Sequence, residues 1–174
     1  MTPDLNDALL KRGFAYHGEL IGPDGQVLES RIDLNLIPTA GLDFLAGLIM
    51  GNGALQANFY VGLMASNTVP SKAMTAADLP ALEASTYSET ARPVWNKAYT
   101  SASGSIDNLG NRAAFTFPSS LSGSTRIYGG FLASTSAKGG NTGTLLSIAR
   151  FSSPYDVPAG STFNLGVSLT LVSA

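Results

Sequence analysis

The chain contains no cysteine. Disulfides and thiolate metal sites are therefore excluded as sources of stability. It has one histidine, His17, so a Ser-His-Asp relay would have to run through that single side chain. Charge is also scarce. Asp, Glu, Lys and Arg make up 13% of the 174 residues, where an average domain carries about 25%. Ten cations oppose twelve anions, and Lys11-Arg12 is the only adjacent pair of cations. A nucleic-acid partner requires a basic stripe to neutralise phosphates, so none is expected. The longest apolar stretch, "GLDFLAGLIMGNGAL", is too short and glycine-rich to span a bilayer, so no membrane partner is expected either. The first residues, "MTPDLNDALLKRG", lack the apolar centre of a secretory signal, which points to a soluble protein made and kept in a cytoplasm.

Motifs that carry chemistry are missing as well. There is no G-x-S-x-G elbow, no phosphate-binding loop ending in Lys-Ser/Thr and no EF-hand spacing. The carboxylates fall singly, as with Asp24, Glu29, Asp33, Asp78 and Asp107, rather than as an evident acid–base pair. "SIDNLGN" places Asp107, Asn108 and Asn111 close together, but Asp and Asn are also good turn formers. These features point to a protein without enzymatic activity and without a cofactor.

Apolar residues, at 44%, are plentiful enough for a core. The clearest pattern is "FNLGVSLTLV" near the end of the chain. Phe163, Leu165, Val167, Leu169 and Leu171 alternate with Asn164, Gly166, Ser168 and Thr170, as a half-buried strand requires. "FAYHGELIG" and "QVLESRIDLNLI" flank the turn "GPDGQ" and predict a hairpin. In its second strand Leu28, Ser30, Ile32, Leu34 and Leu36 share one face, and Glu29, Arg31, Asp33 and Asn35 share the other. That alternation predicts a dry apolar face and a wet or partner-facing charged face.

Residues 2–13 predict a short helix. Thr2 suits its N-cap, Lys11 and Arg12 its last turn, and Gly13 its end. Leu5 and Leu9 supply its apolar stripe, and a helix this short must dock to persist. "TAGLDFLAGLIMG" predicts a second helix capped by Thr39 and stopped by Gly51. "SKAMTAADLPALEAS" reads as a loop with one helical turn capped by Thr75 and limited by Pro80. "NFYVGLMAS", "RPVWNKAY", "RAAFTFP", "TRIYGGFLAS" and "TLLSIARF" read as strands. "TSASGSIDNLGN", "SSLSGS", "TSAKGGNTG" and "SSPYDVPAGS" read as turns between them. Trp95, Phe59, Tyr60, Phe115, Phe117, Tyr128, Phe131, Phe151 and Phe163 are expected in the core rather than on a stacking platform, and the glycine-rich run 129–143 as a flexible hairpin tip. The predicted fold is mainly β: a single-domain antiparallel β-sandwich or jelly roll with one or two short helices and an N-terminal arm. Residues 1–37 form the arm and 38–174 the core, in one structural unit.

Three stretches carry a resemblance: "NLIPTAGLDFLAG", "NFYVGLMASNTVPSKAMTAADLPALEAS" and "RIYGGFLASTSAKGGNTGTLLSIARFSSPYDVPAGSTFNLGVSLTLV". In order and pattern they resemble small virion proteins of tailed bacteriophages, in particular capsid decoration or cement proteins. The resemblance covers roughly residues 30–172 and rests on no catalytic signature. It implies a β-sandwich or jelly-roll core, no enzymatic activity and a place on the outer capsid surface. It also implies the major capsid protein as partner and a homo-oligomer, dimer or trimer. On this view the N-terminal segment and hairpin make the contacts, with Leu5, Leu9, Lys11, Arg12, His17, Glu29, Arg31 and Asp33 as the candidate partner-binding residues. A tail-associated protein with a host-binding loop at 134–143, and a carbohydrate-binding β-sandwich, are the alternatives.

Overall fold

The computed structural model describes residues 13–170. The 2–13 helix, with Leu5, Leu9, Lys11 and Arg12, therefore lies outside the described residues, save for Gly13. Gly13 opens strand β1 (Gly13–Ile21) with φ 125°, a conformation that only glycine adopts without strain.

The chain continues through β2 (Val27–Leu34), helix α1 (Thr39–Ile49), β3 (Tyr60–Met64) and a 3-10 helix (Ala76–Ala81). Then come β4 (Ala98–Thr100), β5 (Ser105–Asp107), β6 (Ala113–Thr116), β7 (Ser124–Ala133), β8 (Leu145–Pro158) and β9 (Thr162–Thr170). All strand pairs are antiparallel. One sheet runs β2-β1-β9-β5-β4, with β6 also pairing β9; the other runs β3-β7-β8. The predicted mainly β, antiparallel class is what is observed. Side chains of both sheets share one core, in which Phe14, Tyr16, Phe163 and Leu165 meet Val61, Ile127, Phe151 and Tyr155.

A second, smaller core lies around β3, β7 and β8, where Met64, Phe131, Leu145 and Ile148 meet Leu79 and Leu82. The 3-10 helix covers it. Thr75 caps that helix, with its hydroxyl accepting from Ala77 N–H while the Asp78 carboxylate accepts from Thr75 N–H. Helix α1 packs so closely on β8 that a Cβ at Gly41 would collide with the Leu146 carbonyl. Its N-cap position is held by Pro38, not Thr39, and no side chain caps it. Gly51, with φ 72°, follows its end.

Several expectations are corrected. "RPVWNKAY" does not form a strand along its length: only its last two residues enter β4, and Val94 makes an isolated bridge to Tyr60. "SSPYDVPAGS" is not a turn up to Pro158, because β8 runs on to that residue and turns only at Ala159–Gly160. The register shift between Ile127 and Gly129 absorbs the extra residues of β8, so the ladder resumes beyond them. "TSASGSIDNLGN" contains β5 and is not all turn.

The largest correction concerns β2. Its apolar parity faces out: Leu28 is 53% exposed, Ile32 65% and Leu34 52%. Its charged parity faces in, with Asp33 buried and Arg31 over the Tyr155 ring. The cause is a bulge. Ile21 pairs with Val27, but Leu20 pairs with Glu29, so Leu28 has no partner on β1. Continued without a bulge, the register set at the turn would place Leu28 opposite Leu20 and Ile32 opposite Tyr16, on the core face. One extra residue exchanges the two parities. Beyond it, Tyr16 faces Asp33, Gly18 faces Arg31 and Leu20 faces Glu29.

Candidate interaction surface

β1 places its even residues in the core and its odd residues on the outer face of the larger sheet. The register then lines up Leu34, Ala15 and Ser168 across three strands, then Ile32, His17 and Gly166, then Ser30, Glu19 and Asn164. The face is graded. At the β2 edge lie Val27, Leu28, Ile32 and Leu34, each more than half exposed. Toward β9 it becomes polar, with Glu19 paired to Arg112 at 3.0 Å and accepting from Asn164 at 3.4 Å. The face thus sets an exposed apolar strip at the sheet edge beside a polar region on its inner strands, and apolar surface flanked by polar groups suits contact with protein.

His17 stands at the boundary, with Nε2 3.0 Å from the Ser168 hydroxyl. Half burial, with the Arg112 guanidinium nearby, holds its pKa below the usual 6.5 despite the opposing pull of Asp107. Ser168 pairs in register with Asp107, so a serine, the histidine and an aspartate come together. They do not assemble the contacts of a triad. The Asp107 oxygens accept from the Ser105 hydroxyl at 2.6 Å and the Leu109 N–H at 3.1 Å, and no hydrogen bond joins Asp107 to His17 among the described residues.

Glu29, Arg31 and Asp33 occupy the inner side of β2. Arg31 Nη1 lies 3.2 Å from Glu29 Oε1, and the guanidinium sits 4.1 Å from the Tyr155 ring centre. Gly18 makes room, since a Cβ there would press on the Tyr155 ring and hydroxyl. Asp33 Oδ1 accepts the Ser152 N–H at 2.7 Å. Of the sequence candidates, the structure gathers His17, Glu29, Arg31 and Asp33 into the β1–β2 hairpin, but on opposite faces of it. The exposed large apolar residues of that hairpin, all left out of the candidate set by sequence reasoning, are Val27, Leu28, Ile32 and Leu34, the last three from one parity. Their alternation was visible, but it read as core.

The "SIDNLGN" cluster serves local structure. Asn108 is buried, with Oδ1 accepting the Val167 N–H at 2.6 Å and Nδ2 donating to the Asn111 carbonyl. No group of three or more His, Asp or Glu side chains suited to a metal ion occurs among the described residues.

The 134–143 tip is tied down rather than free. Arg92 and Glu83, both buried, form a two-point pair at 2.8 and 2.7 Å. Arg92 also donates to the Thr135 and Gly140 carbonyls, and Glu83 accepts the Gly139 N–H. Lys138 donates to the Tyr87 carbonyl at 2.8 Å and lies over the Tyr87 ring. Neither Arg92 nor Glu83 stood out in the sequence, because each lies far along the chain from the loop it anchors.

Trp95 is buried, its indole N–H donating to the Val167 carbonyl at 3.0 Å. Phe59, Phe115, Phe117, Phe131, Phe151 and Phe163 are buried too, as core side chains, whereas Tyr60 and Tyr128, expected with them, are only partly buried. One side of Trp95 borders an apolar cavity of about 360 Å³ between α1 and the larger sheet, with Tyr99 at its lining. No family model matches the chain, and no curated protein or solved structure matches it.

Proposed function

We propose that this protein is a non-enzymatic structural protein of a tailed-phage virion that decorates the capsid and stabilises it by binding the major capsid protein. The observation that carries this reading is the exposed apolar row Leu28, Ile32 and Leu34 on the outer face of the larger sheet. A bulge turns those side chains away from an available core, and a contiguous exposed apolar patch marks a binding surface. The shared core of the two sheets supports the finer fold, a β-sandwich of the decoration-protein kind. The low charge of the whole chain suits wide contact with protein. The anchored 134–143 tip weighs against a mobile host-binding loop and so against the tail alternative.

The test is the copy number of this chain in purified particles, together with rebinding to stripped particles. Abundance comparable to the major capsid protein, with Ile32→Lys abolishing rebinding, is the expected outcome. A few copies per particle would move the protein to the tail, and absence from particles would reopen the sugar-binding alternative. Unchanged rebinding after deletion of residues 1–12 would remove the N-terminal segment from the contact.

A further inference from the structure

β2 ends the larger sheet, and among the described residues it pairs with β1 alone. Its other edge offers backbone N–H and C=O groups to another strand. Sheets blunt such an edge with proline, outward lysine, a very short strand, a bulge or inward-pointing charges. β2 has eight residues and contains neither proline nor lysine. Its bulge sits at the turn end and leaves Glu29–Leu34 in regular register with β1, and its inward charges, Glu29, Arg31 and Asp33, are of both signs, so a second copy can pair with them.

A second copy of the chain fits this edge by charge. In an antiparallel two-fold pair, opposed residues share a face, so the axis must pass through a residue. Centring on Glu29, Arg31 or Asp33 opposes acid to acid: Glu29 to itself, Glu29 to Asp33, or Asp33 to itself. Centring on Ile32 would need Asp33 for Arg31, but Asp33 is buried and already accepts the Ser152 N–H. Centring on Ser30 sets Glu29 against Arg31 and Leu28 against Ile32. The Glu29 side chain is 40% exposed and so within reach of a partner. The Arg31 side chain is 22% exposed: Nη1 has its own Glu29, while Nε and Nη2, buried beside the Tyr155 ring, have no hydrogen-bond partner among the described residues, so a partner's carboxylate meets Arg31 on its Nη1 side.

We propose that two copies of this chain join along β2, antiparallel about Ser30, so that Glu29 of each faces Arg31 of the other. The pairing joins two sheets into one and unites two Leu28–Ile32–Leu34 rows on the same side. It rests on the strand edge alone and stands whether or not the protein binds a capsid.

Two measurements test it. The first is sedimentation of the full chain and of the single variants E29K and R31E, with circular dichroism to check folding. The wild type is expected as a dimer, and each variant as a folded monomer, because like charges then oppose across the axis. An equimolar mixture of the two variants restores opposite charges at both positions and is expected to dimerise. The second uses the absence of cysteine. Ser30→Cys places two thiols across the axis at a Cα separation of about 4.5–5.5 Å, within disulfide range. It should cross-link under mild oxidation, whereas Ser122→Cys, on an exposed turn elsewhere, should not. A monomeric wild type, a dimer unaffected by both charge variants, or Ser30→Cys cross-linking no faster than Ser122→Cys would overturn the proposal. If a charge variant fails to fold, the cysteine pair decides alone. Absence from virions with an intact Ser30 cross-link would remove the capsid reading and leave the dimer.

Discussion

Asp33 Oδ1 accepts the backbone N–H of Ser152 at 2.7 Å, joining the edge strand of one sheet to the irregular stretch of β8 in the other. The bond exists only because the β2 bulge turns the charged parity inward. Asp33→Ala removes the acceptor of a part-buried bond whose donor residue, Ser152, is exposed and can turn to water, so the expected cost is about 1 kcal/mol. Asp33→Asn keeps an acceptor oxygen and should cost less. Urea unfolding of the three chains compares them directly.

The Arg92–Glu83 pair should be worth more when broken singly than when replaced together. Arg92→Ala strands a buried carboxylate, at about 3–5 kcal/mol. It also releases the Thr135 and Gly140 carbonyls, so protease cleavage within 134–143 should accelerate. A double replacement by Met and Leu should recover part of the lost stability, and equal loss in single and double variants would contradict this account.

Ser147 serves two partners, accepting from the Tyr16 hydroxyl at 2.9 Å and from Asn35 Nδ2 at 2.7 Å. Burial raises the Tyr16 pKa, with the Ser147 bond opposing it, so the phenol remains neutral and needs its acceptor. Ser147→Ala orphans both donors and should destabilise more than Tyr16→Phe, which removes one of them cleanly. Thermal unfolding of the two variants gives the order.

Acid should weaken the fold through His17. Its folded pKa lies below 6.5, so the unfolded chain binds the proton more readily. Full stability is therefore present above pH 6.5 and is lost as pH falls from there toward the folded pKa. His17→Gln should flatten this part of the stability–pH curve. An NMR titration of the His17 ring should show a midpoint below 6.5, and a midpoint above it would reverse the sign.

The exposed row should matter for contact and hardly for folding. Ile32→Lys is expected to change unfolding free energy by less than about 0.5 kcal/mol, since the side chain is 65% exposed. Loss of particle rebinding with an unchanged melting temperature is the expected signature.

Much of this was legible in the sequence. Period-2 alternation placed β9, the turn it flanks placed β1, Gly/Ser-rich turns bounded β7, and the Thr75 capping box marked the 3-10 helix, because all of these signals are local. The β2 strand was legible too, and so was its division into an apolar and a charged parity. Which parity faced the core was not. That choice depends on pairing with β1 and on one unpaired residue, Leu28. The Arg92–Glu83 anchor was equally hidden, since it joins a loop to residues about fifty positions earlier.

The amino-acid sequence by itself determined a mainly β chain, from periodicities that each strand carries within itself. It also ruled out cysteine chemistry, by composition alone. Only the tertiary structure decided that the apolar side of β2 would meet solvent and that Glu29, Arg31 and Asp33 would turn inward. A strand has two faces, and the neighbour it pairs with, in one register, selects which of them is buried.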